Sequence, residues 1–169
     1  MKFKAYLLVG SALFLGIAAD TKEAKPTEGA NPGDLAPRIV LNENENEEIH
    51  FQNQDGRYTL VNFWAAYDAE SRARNVQLWN EVNKLNASSV NLAMYSISLD
   101  EMTSVFEATI ETDKLKGTAQ LQEKEGQRSD VFKKYKLERG LRNFLIDENG
   151  VIIAANVSPD KLADYYNQI

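Results

Sequence analysis

The side chains best suited to chemistry are acidic residues that follow two apolar runs. Asp68 and Glu70 come shortly after residues 58–65, YTLVNFWA, and Asp100 follows residues 90–99, VNLAMYSISL. In an open α/β sheet, ligands bind outside the carboxyl ends of the strands, so these three carboxylates can gather at one edge of a sheet. Carboxylates grouped in this way hold a hard cation or act as general acid and base. A carboxylate-dependent or metal-assisted hydrolase is therefore one hypothesis for this chain.

The same carboxylates also fit structural roles. Asp68 stands where a helix is predicted to begin, and an aspartate there accepts hydrogen bonds from backbone N–H groups that have no partner within the helix. Asp100 can cap in the same way a helix that begins near Met102. Three carboxylates in an acidic chain also come together easily by chance. Structural capping is therefore the simpler interpretation, and the ligand site stays an alternative.

Composition excludes thiol chemistry. The sequence has no cysteine, and its one histidine is His50. Without cysteine the chain can form no disulfide, no zinc–cysteine site and no thiolate nucleophile. A lone histidine does not supply the ligand set of a transition-metal site. We therefore expect His50 at the surface, and we expect neither a metal nor a cofactor.

The charge balance indicates the kind of partner. Lys and Arg number 19 and Asp and Glu number 25, which gives a formal net charge of −6. A protein that binds a nucleic-acid backbone needs clustered basic residues to displace counterions, and this sequence has no such cluster. We therefore expect no nucleic-acid partner.

The amino-terminal segment has the pattern of a secretory signal peptide. Lys2 and Lys4 precede an uncharged apolar run over residues 5–19, whose small closing residues suit signal peptidase. The run falls short of the roughly 20 apolar residues that cross a bilayer, although an uncleaved anchor that contacts the membrane is the alternative. The prediction is a signal peptide over 1–19, a flexible leader without core residues over 20–33, and an exported domain over 34–169.

The elements that must position the acidic residues alternate between strands and helices. A short strand is predicted over 38–41, and the β-branched and aromatic run over 58–65 predicts a central strand buried on both faces. Residues 69–85 repeat apolar side chains every three or four positions, which predicts an amphipathic helix. Its predicted buried face consists of Ala69, Ala73, Val76, Trp79, Val82 and Leu85.

The second half of the chain continues this alternation. Residues 90–99 predict a second buried strand and residues 102–113 a further amphipathic helix. Asn149 and Gly150 tolerate positive φ, so the sequence DENG predicts a tight turn between two strands. The remaining segments are a polar connection over 115–127, a short helix over 129–135, strands over 144–146 and 151–157, and a helix over 159–168. This order predicts an α/β sandwich around a mixed sheet.

Four motifs together resemble the thioredoxin-like redoxins of bacterial envelopes, the group of thiol-disulfide oxidoreductases and peroxiredoxin-related proteins. The motifs are GDLAP at 33–37, LVNFWAAY at 60–67, YSISLD at 95–100 and FLIDENGVI at 144–152. The resemblance covers residues 33–169. It implies a thioredoxin-like α/β/α sandwich with a mixed central sheet, and a location in the periplasm or cell envelope.

The chain departs from this family at its reactive centre. Where the family carries Cys-x-x-Cys, the chain reads Asp68, Ala69, Glu70, Ser71. The family chemistry needs a thiolate at the first position and a resolving thiol at the second, and neither Asp68 nor Ser71 can exchange with a disulfide. Leu141 stands where the family has a cis-proline. Because a cis bond before a non-proline residue costs about 3 kcal/mol, we expect a trans bond there.

These departures predict an exported thioredoxin-like domain that has lost dithiol redox chemistry and acts as a binding or scaffolding module for a protein or peptide partner in the cell envelope. The candidate binding residues around the former reactive centre are Tyr67, Glu70, Asp100 and Arg142, with Tyr67 exposed and Trp64 in the core. Two alternatives stay open. One is an enzyme that uses the carboxylates, and the other is an accessory subunit of a redox partner.

Overall fold

The computed structural model describes residues 25–41, 48–52, 56–115 and 119–166. The predicted signal peptide lies outside the described residues. Within them, no helix has the length and apolar character that crossing a membrane requires. The strands are β1 Ile39–Val40, β2 Glu48–Ile49, β3 Tyr58–Trp64, β4 Leu92–Ser98, β5 Gln120–Gln122, β6 Asn143–Ile146 and β7 Ile152–Ala155. The helices are α1 Ala69–Ala87, α2 Thr103–Thr112, α3 Asp130–Lys134 and α4 Leu162–Tyr166.

A five-stranded mixed sheet with the order β5-β4-β3-β6-β7 forms the centre of the domain. Strand β4 is parallel to both β3 and β5, whereas β6 is antiparallel to both β3 and β7. The register of β3 and β4 runs from Tyr58 opposite Leu92 to Trp64 opposite Ser98, so both strands end at the same edge. Helix α1 makes the crossover that a parallel pair needs. The predicted α/β sandwich with a mixed central sheet is confirmed.

Side chains of the sheet alternate between two hydrophobic cores, one on each face. On β3, Leu60 packs in the same core as Leu78 of α1, whereas Phe63 belongs to the opposite core. That opposite core contains an aromatic cluster, in which the ring centroid of Tyr135 lies 4.9 Å from that of Phe63 and 5.0 Å from that of Phe144. Successive residues of a strand point to opposite faces, which explains why a continuous apolar run predicts a strand buried on both.

The face of α1 that the sheet covers is more polar than the sequence predicted. The predicted face is wrong at its start, where Ala69 and Ala73 are exposed. Asn75 is buried instead, accepting a hydrogen bond from Asn62 Nδ2 at 3.0 Å and donating one to Gln120 Oε1 at 3.2 Å. The buried residues of α1 are Ser71, Asn75, Leu78 and Val82. Burial of an amide is tolerated because neighbouring strands supply its partners.

Part of the predicted leader packs against the domain. The expectation that residues 20–33 contain no core residue is wrong at Ala30, which is buried in the core around β1. Gly33 N donates to Ile152 O at 2.8 Å, and Ile152 N donates to Asp34 O at 2.9 Å. The chain before β1 therefore lies along the outer edge of β7.

Two other elements differ from their prediction. The polar connection over 115–127 contains β5, a strand of three residues, QLQ, that pairs with the end of β4. Three residues are too few to show an alternating pattern. The helix predicted over 159–168 begins as a 3₁₀ turn, Pro159–Lys161, and continues as α4.

A buried carboxylate follows β5. Glu123 is buried, and its Oε1 accepts a hydrogen bond from Glu125 N at 3.0 Å. Burial raises the pKa of Glu123 above its ordinary value, the backbone hydrogen bond opposes this shift, and the charges of Glu125 and Asp130 add to it. The folded protein therefore holds a proton on Glu123 more firmly than the unfolded chain does.

We predict that the free energy of unfolding falls as the pH rises from the ordinary glutamate pKa through the raised pKa of Glu123. In that window the folded state binds more protons than the unfolded state, so raising the pH favours unfolding. Glu123→Gln should flatten this part of the profile, measured by urea unfolding from about pH 4 to about pH 8. The exposed Glu138→Gln is the control. An unchanged slope in Glu123→Gln would contradict the prediction.

Candidate functional site at the carboxyl edge of the sheet

The segment that joins β3 to α1, residues 65–68, forms the centre of the site. Trp64, the last residue of β3, is fully buried, as predicted. Asp68 N then donates to Ala65 O at 3.1 Å, which closes a turn, and α1 begins at the next residue. Tyr67 points outward from this turn with 62% of its surface exposed, so its predicted exposure is confirmed.

Asp68 caps α1, which confirms its structural interpretation. Its Oδ1 accepts hydrogen bonds from Glu70 N and Ser71 N, each at 3.2 Å. These backbone groups have no partner within the helix, and a negative charge beside them also complements the helix dipole. The carboxylate at the former first-cysteine position therefore secures the start of a 19-residue helix.

Ser71, at the former second-cysteine position, is tied to the backbone. It is buried, its Oγ donates to Asp68 O at 3.1 Å, and the same atom accepts from Ala65 N at 3.3 Å. A serine nucleophile needs an adjacent base, and both of these partners are backbone atoms. The single histidine is exposed, as predicted, with His50 Nε2 lying 3.1 Å from Glu48 Oε2. Ser71 therefore has the contacts of a structural residue.

Asp100 connects the two loops at this edge of the sheet. It is buried, and Ala66 N donates to both of its carboxylate oxygens, at 2.9 and 3.1 Å. Ser98 Oγ donates to Asp100 Oδ2 at 2.7 Å. The expectation that Asp100 caps the following helix is wrong, because Met102 holds the capping position and α2 has no side-chain cap. Asp100 instead fixes the loop between β3 and α1.

The expected cluster of three carboxylates does not form. Asp100 lines one concave surface together with Ala66, whereas Asp68 and Glu70 line another. Within the described ranges, no group of three or more His, Asp or Glu side chains could hold a metal ion. The hypothesis of a metal-assisted hydrolase built on these three residues therefore loses its geometric basis.

The larger concave surface, which we call the apolar groove, has a volume of about 730 Å³. Three of its side chains are apolar and exposed, with 62% of Tyr67, 63% of Met102 and 38% of Val105 accessible to solvent. At its rim, Arg128 Nη1 lies 3.2 Å from Glu101 Oε1. Of the predicted binding residues, Tyr67 and Asp100 lie here. The groove places apolar surface directly beside the former reactive centre.

The smaller concave surface, which we call the arginine pocket, has a volume of about 310 Å³. It holds the other two predicted binding residues, Glu70 and Arg142, and also Arg74 and Arg139. Arg74 Nη1 lies 3.5 Å from Glu70 Oε1. All three former reactive-centre positions, Asp68, Ser71 and Leu141, line this pocket. The arginine pocket therefore lies where the resemblance leads us to expect the dithiol of the family.

Leu141 has the trans conformation that the sequence predicted. The described part of the chain contains no cis peptide bond. Leu141 packs half-buried against the core that contains Phe63, and its carbonyl oxygen accepts a hydrogen bond from Arg74 Nη2. The loop that carries a proline in the family is therefore fixed here by an arginine from α1.

These features define a thioredoxin-like domain without a dithiol. They are the mixed sheet, the helix that starts beside residues 65–68, and the absence of cysteine from the sequence. The chain is similar to the crystal structure of a thioredoxin-like protein from Parabacteroides distasonis, with 57% sequence identity and a TM-score of 0.75 over 85% of this chain and 99% of that one. No family model matches the chain, and no curated protein matches it. The chain belongs to the thioredoxin-like family.

Two further solved structures link this fold to redox proteins. A thiol-disulfide oxidoreductase from Bacteroides fragilis is 28% identical, with a TM-score of 0.65 over 80% of this chain and 98% of that one. The thioredoxin domain of a thiol-disulfide oxidoreductase from Bacteroides vulgatus is 25% identical, with a TM-score of 0.65 over 81% of this chain and 96% of that one. This chain shares their fold and has no cysteine.

Sequence reasoning missed several lining residues of these two surfaces, among them Met102 and Val105 in the apolar groove and Arg74 and Arg139 in the arginine pocket. Met102 and Val105 belong to a segment that the periodicity predicted as an amphipathic helix, and periodicity does not show which apolar positions stay uncovered. For Arg139 a signal was present, whereas Arg74 joins the pocket through a contact distant in sequence, with Leu141 O. Residues 138–142 read ERGLR, which places two arginines around the position of the missing proline.

We predict that Asp68→Ala lowers the free energy of unfolding by about 0.5 to 2 kcal/mol, as other lost helix caps do. Asp68→Asn should cost much less, because its amide oxygen can still accept the two backbone N–H groups. Urea midpoints of both variants measure the effect. A midpoint of Asp68→Ala above that of the unmodified protein would contradict the capping role and favour a carboxylate kept for a ligand.

We also predict that Asp100→Ala destabilises the protein by about 1 to 3 kcal/mol, because Ala66 N is left in a partly buried site without its acceptor. Asp100→Asn should cost less, since one oxygen remains. Hydrogen exchange at the amides of Ala66 and Tyr67 should accelerate in Asp100→Ala. The control is Glu101→Ala, which changes the neighbouring exposed carboxylate. Unchanged exchange in Asp100→Ala would show that this bond does not hold the loop.

Proposed function

We propose that this chain is an exported thioredoxin-like domain that carries out no dithiol exchange and binds a protein segment of the cell envelope in its apolar groove. The exposed apolar side chains of Tyr67, Met102 and Val105 are the observation that carries this proposal. Export is supported by the two lysines and the apolar run at the amino terminus.

Loss of redox chemistry follows from composition. Thiol-disulfide exchange needs a thiolate to attack a disulfide sulfur, and the sequence contains no cysteine. The side chains at these two positions already have hydrogen-bond partners. Asp68 caps α1, and the Ser71 hydroxyl is hydrogen-bonded to the backbone of Ala65 and Asp68. Asp68 and Ser71 therefore stabilise the start of α1.

The lining of the groove suits a peptide segment with apolar side chains. Tyrosine is favoured at binding hot spots because its ring supplies a large apolar area and its hydroxyl a polar contact. Met102 adds an unbranched side chain that adapts to irregular surfaces. The ion pair of Glu101 and Arg128 gives the apolar floor a polar rim, which is the usual anatomy of a protein interface.

The groove is held in place before any partner arrives. Asp100 bonds Ala66 N with both oxygens, which fixes the segment that carries Tyr67. Gln122 Nε2 donates to Asp100 O at 2.7 Å, so β5 supports the same loop. A surface that is already ordered loses less conformational entropy on binding, and this favours a recognition role.

We predict that a photoreactive phenylalanine analogue placed at Tyr67 cross-links to a defined envelope protein in cells, whereas the same analogue at Val40 does not. Val40 is the matched control because it is an exposed apolar residue, 36% accessible, on a separate strand. Val105→Asp should abolish the adduct from position 67, because it puts a charge into the groove. An aspartate in the first turn of α2 is compatible with helix formation, so the variant should fold.

Three results would contradict this proposal: equal adducts from positions 67 and 40, no adduct from position 67, or an adduct that Val105→Asp leaves unchanged. Turnover of insulin disulfides with dithiothreitol above the buffer rate would separately contradict the loss of redox activity. Mass spectrometry of the cross-linked protein distinguishes a scaffold from an accessory subunit, since the latter would be joined to a cysteine-containing redox protein.

A further inference from the structure

The arginine pocket carries more positive charge than its own residues neutralise. Three guanidinium groups, those of Arg74, Arg139 and Arg142, line it together with the two carboxylates of Asp68 and Glu70. The balance is one positive charge in a chain whose formal net charge is −6. A positively charged pocket in an acidic protein is suited to bind an anionic group.

The two carboxylates are poorly placed to neutralise the arginines. Asp68 already accepts two hydrogen bonds from the backbone of α1. Glu70 has an exposed side chain, and its Oε1 is 3.5 Å from Arg74 Nη1, which is longer than a charge-assisted hydrogen bond. A long ion pair with one exposed partner neutralises the arginine only weakly. Among the described lining residues, the guanidinium groups therefore have no carboxylate partner closer than Glu70. Beside the pocket, Arg139 Nε lies 4.0 Å from Glu138 Oε1, at the distance limit of an ion pair, and both side chains are exposed.

Arg74 is largely buried, and its contacts leave one of its hydrogen-bond donors without an acceptor. Its side chain is 13% exposed, its Nη2 donates to Leu141 O, and its Nε is buried with no hydrogen-bond partner in the described residues. Burial lowers the pKa of Arg74, while the charges of Glu70 and Asp68 raise it. A buried donor without an acceptor destabilises the ligand-free protein.

Arg142 contacts backbone carbonyl groups and an aromatic ring and has no described carboxylate partner. Its Nη2 makes long hydrogen bonds of 3.4 and 3.5 Å to the carbonyl oxygens of Tyr135 and Lys136, and its guanidinium lies 5.3 Å from the ring centroid of Phe144. Its Nε is buried and has no partner in the described part of the chain. Arg142 forms no ion pair with a described carboxylate. The cation–π contact with Phe144 positions the guanidinium group but supplies no negative charge to pair with it.

We infer that the arginine pocket binds a carboxylate group of a peptide, at the place where related proteins hold their dithiol. Arginine forks match the planar geometry of a carboxylate, and the surplus of one positive charge matches a singly charged group. A phosphate dianion fits less well, because Asp68 and Glu70 would repel its second charge. The pocket volume of about 310 Å³ suits a small group at the end of a short chain.

This inference rests on the proposed function only for the peptide nature of the ligand, since the charge of the pocket is independent of the apolar groove. The two surfaces adjoin, because Tyr67 lines the groove and the next residue, Asp68, lines the pocket. A segment with apolar side chains in the groove can therefore place a carboxylate in the pocket. That carboxylate is either an acidic side chain or a carboxyl terminus.

Nuclear magnetic resonance of the arginine side chains tests the inference directly, because Nε–H groups give their own signals. Three probes are titrated at constant ionic strength: acetyl-Leu-Ala with a free carboxyl terminus, acetyl-Leu-Glu-amide, and the neutral acetyl-Leu-Gln-amide. Saturable shifts of the Arg74 and Arg142 Nε–H signals are expected with a carboxylate probe and not with the neutral one. The tighter of the two carboxylate probes identifies the source.

Four variants test the assignment. Arg142→Lys should weaken binding about tenfold, because it keeps the charge and loses the planar fork. Arg139→Gln, which changes an exposed residue and should fold, should weaken binding about two- to fivefold. Glu70→Gln removes a competing carboxylate and should tighten binding about two- to fivefold. The control Arg57→Gln removes the same charge just before β3, at the opposite end of the sheet, and should change affinity less than about twofold.

Several outcomes would overturn the inference. They are no saturable shift with either carboxylate probe, equal affinity for the neutral probe, tighter binding of inorganic phosphate, or an affinity that Glu70→Gln and Arg139→Gln leave unchanged. Failure here is separable from failure of the proposed function. Cross-linking through Tyr67 can succeed while the pocket binds no carboxylate, and the pocket can bind carboxylates while the groove captures no protein.

Discussion

The carboxylate of Asp100 holds together the two loops on which the site is built. It lies buried at the end of β4 and accepts hydrogen bonds from Ala66 N and Ser98 Oγ. A buried carboxylate is tolerated only when hydrogen bonds replace the lost water. Here the donor, Ala66 N, belongs to the loop between β3 and α1, and the acceptor oxygens belong to Asp100 in the loop after β4. The orientation of Tyr67, and with it one wall of the apolar groove, depends on this contact.

The start of α1 shows how a reactive centre can be removed without loss of the fold. Asp68 accepts the free backbone N–H groups of Glu70 and Ser71, and the Ser71 hydroxyl bridges Asp68 O and Ala65 N. Both replacements therefore form bonds that strengthen the turn. Arg74 then fixes the neighbouring loop through the carbonyl of Leu141, where the family has a proline.

The parts of the structure that the sequence predicted are those with strong local signals. Strand β3 was predictable because an apolar, aromatic run admits few other structures, and the Asp68 cap because aspartate at a helix start has a specific bonding role. The buried face of α1 was predicted incorrectly, since Asn75 finds its partners on strands distant in sequence. Ala30 and β5 depend on tertiary pairing, and the grouping of Arg74 with Arg142 depends on a loop that returns to the helix. Such long-range contacts leave no periodic trace.

Residues 33–36, which lie beside β7, determine how this domain can meet other chains. Leu35 pairs with Val151, and Gly33 and Asp34 exchange backbone hydrogen bonds with Ile152, so the first residue of β7 has its outward hydrogen-bonding groups filled. At the other edge of the sheet, the outer strand is β5, which is three residues long. Partners that recognise sheets by adding a strand require a longer open edge, and so does aggregation through backbone pairing. Recognition through side chains, as in the apolar groove, can be changed by single substitutions without altering the backbone pairing of the sheet.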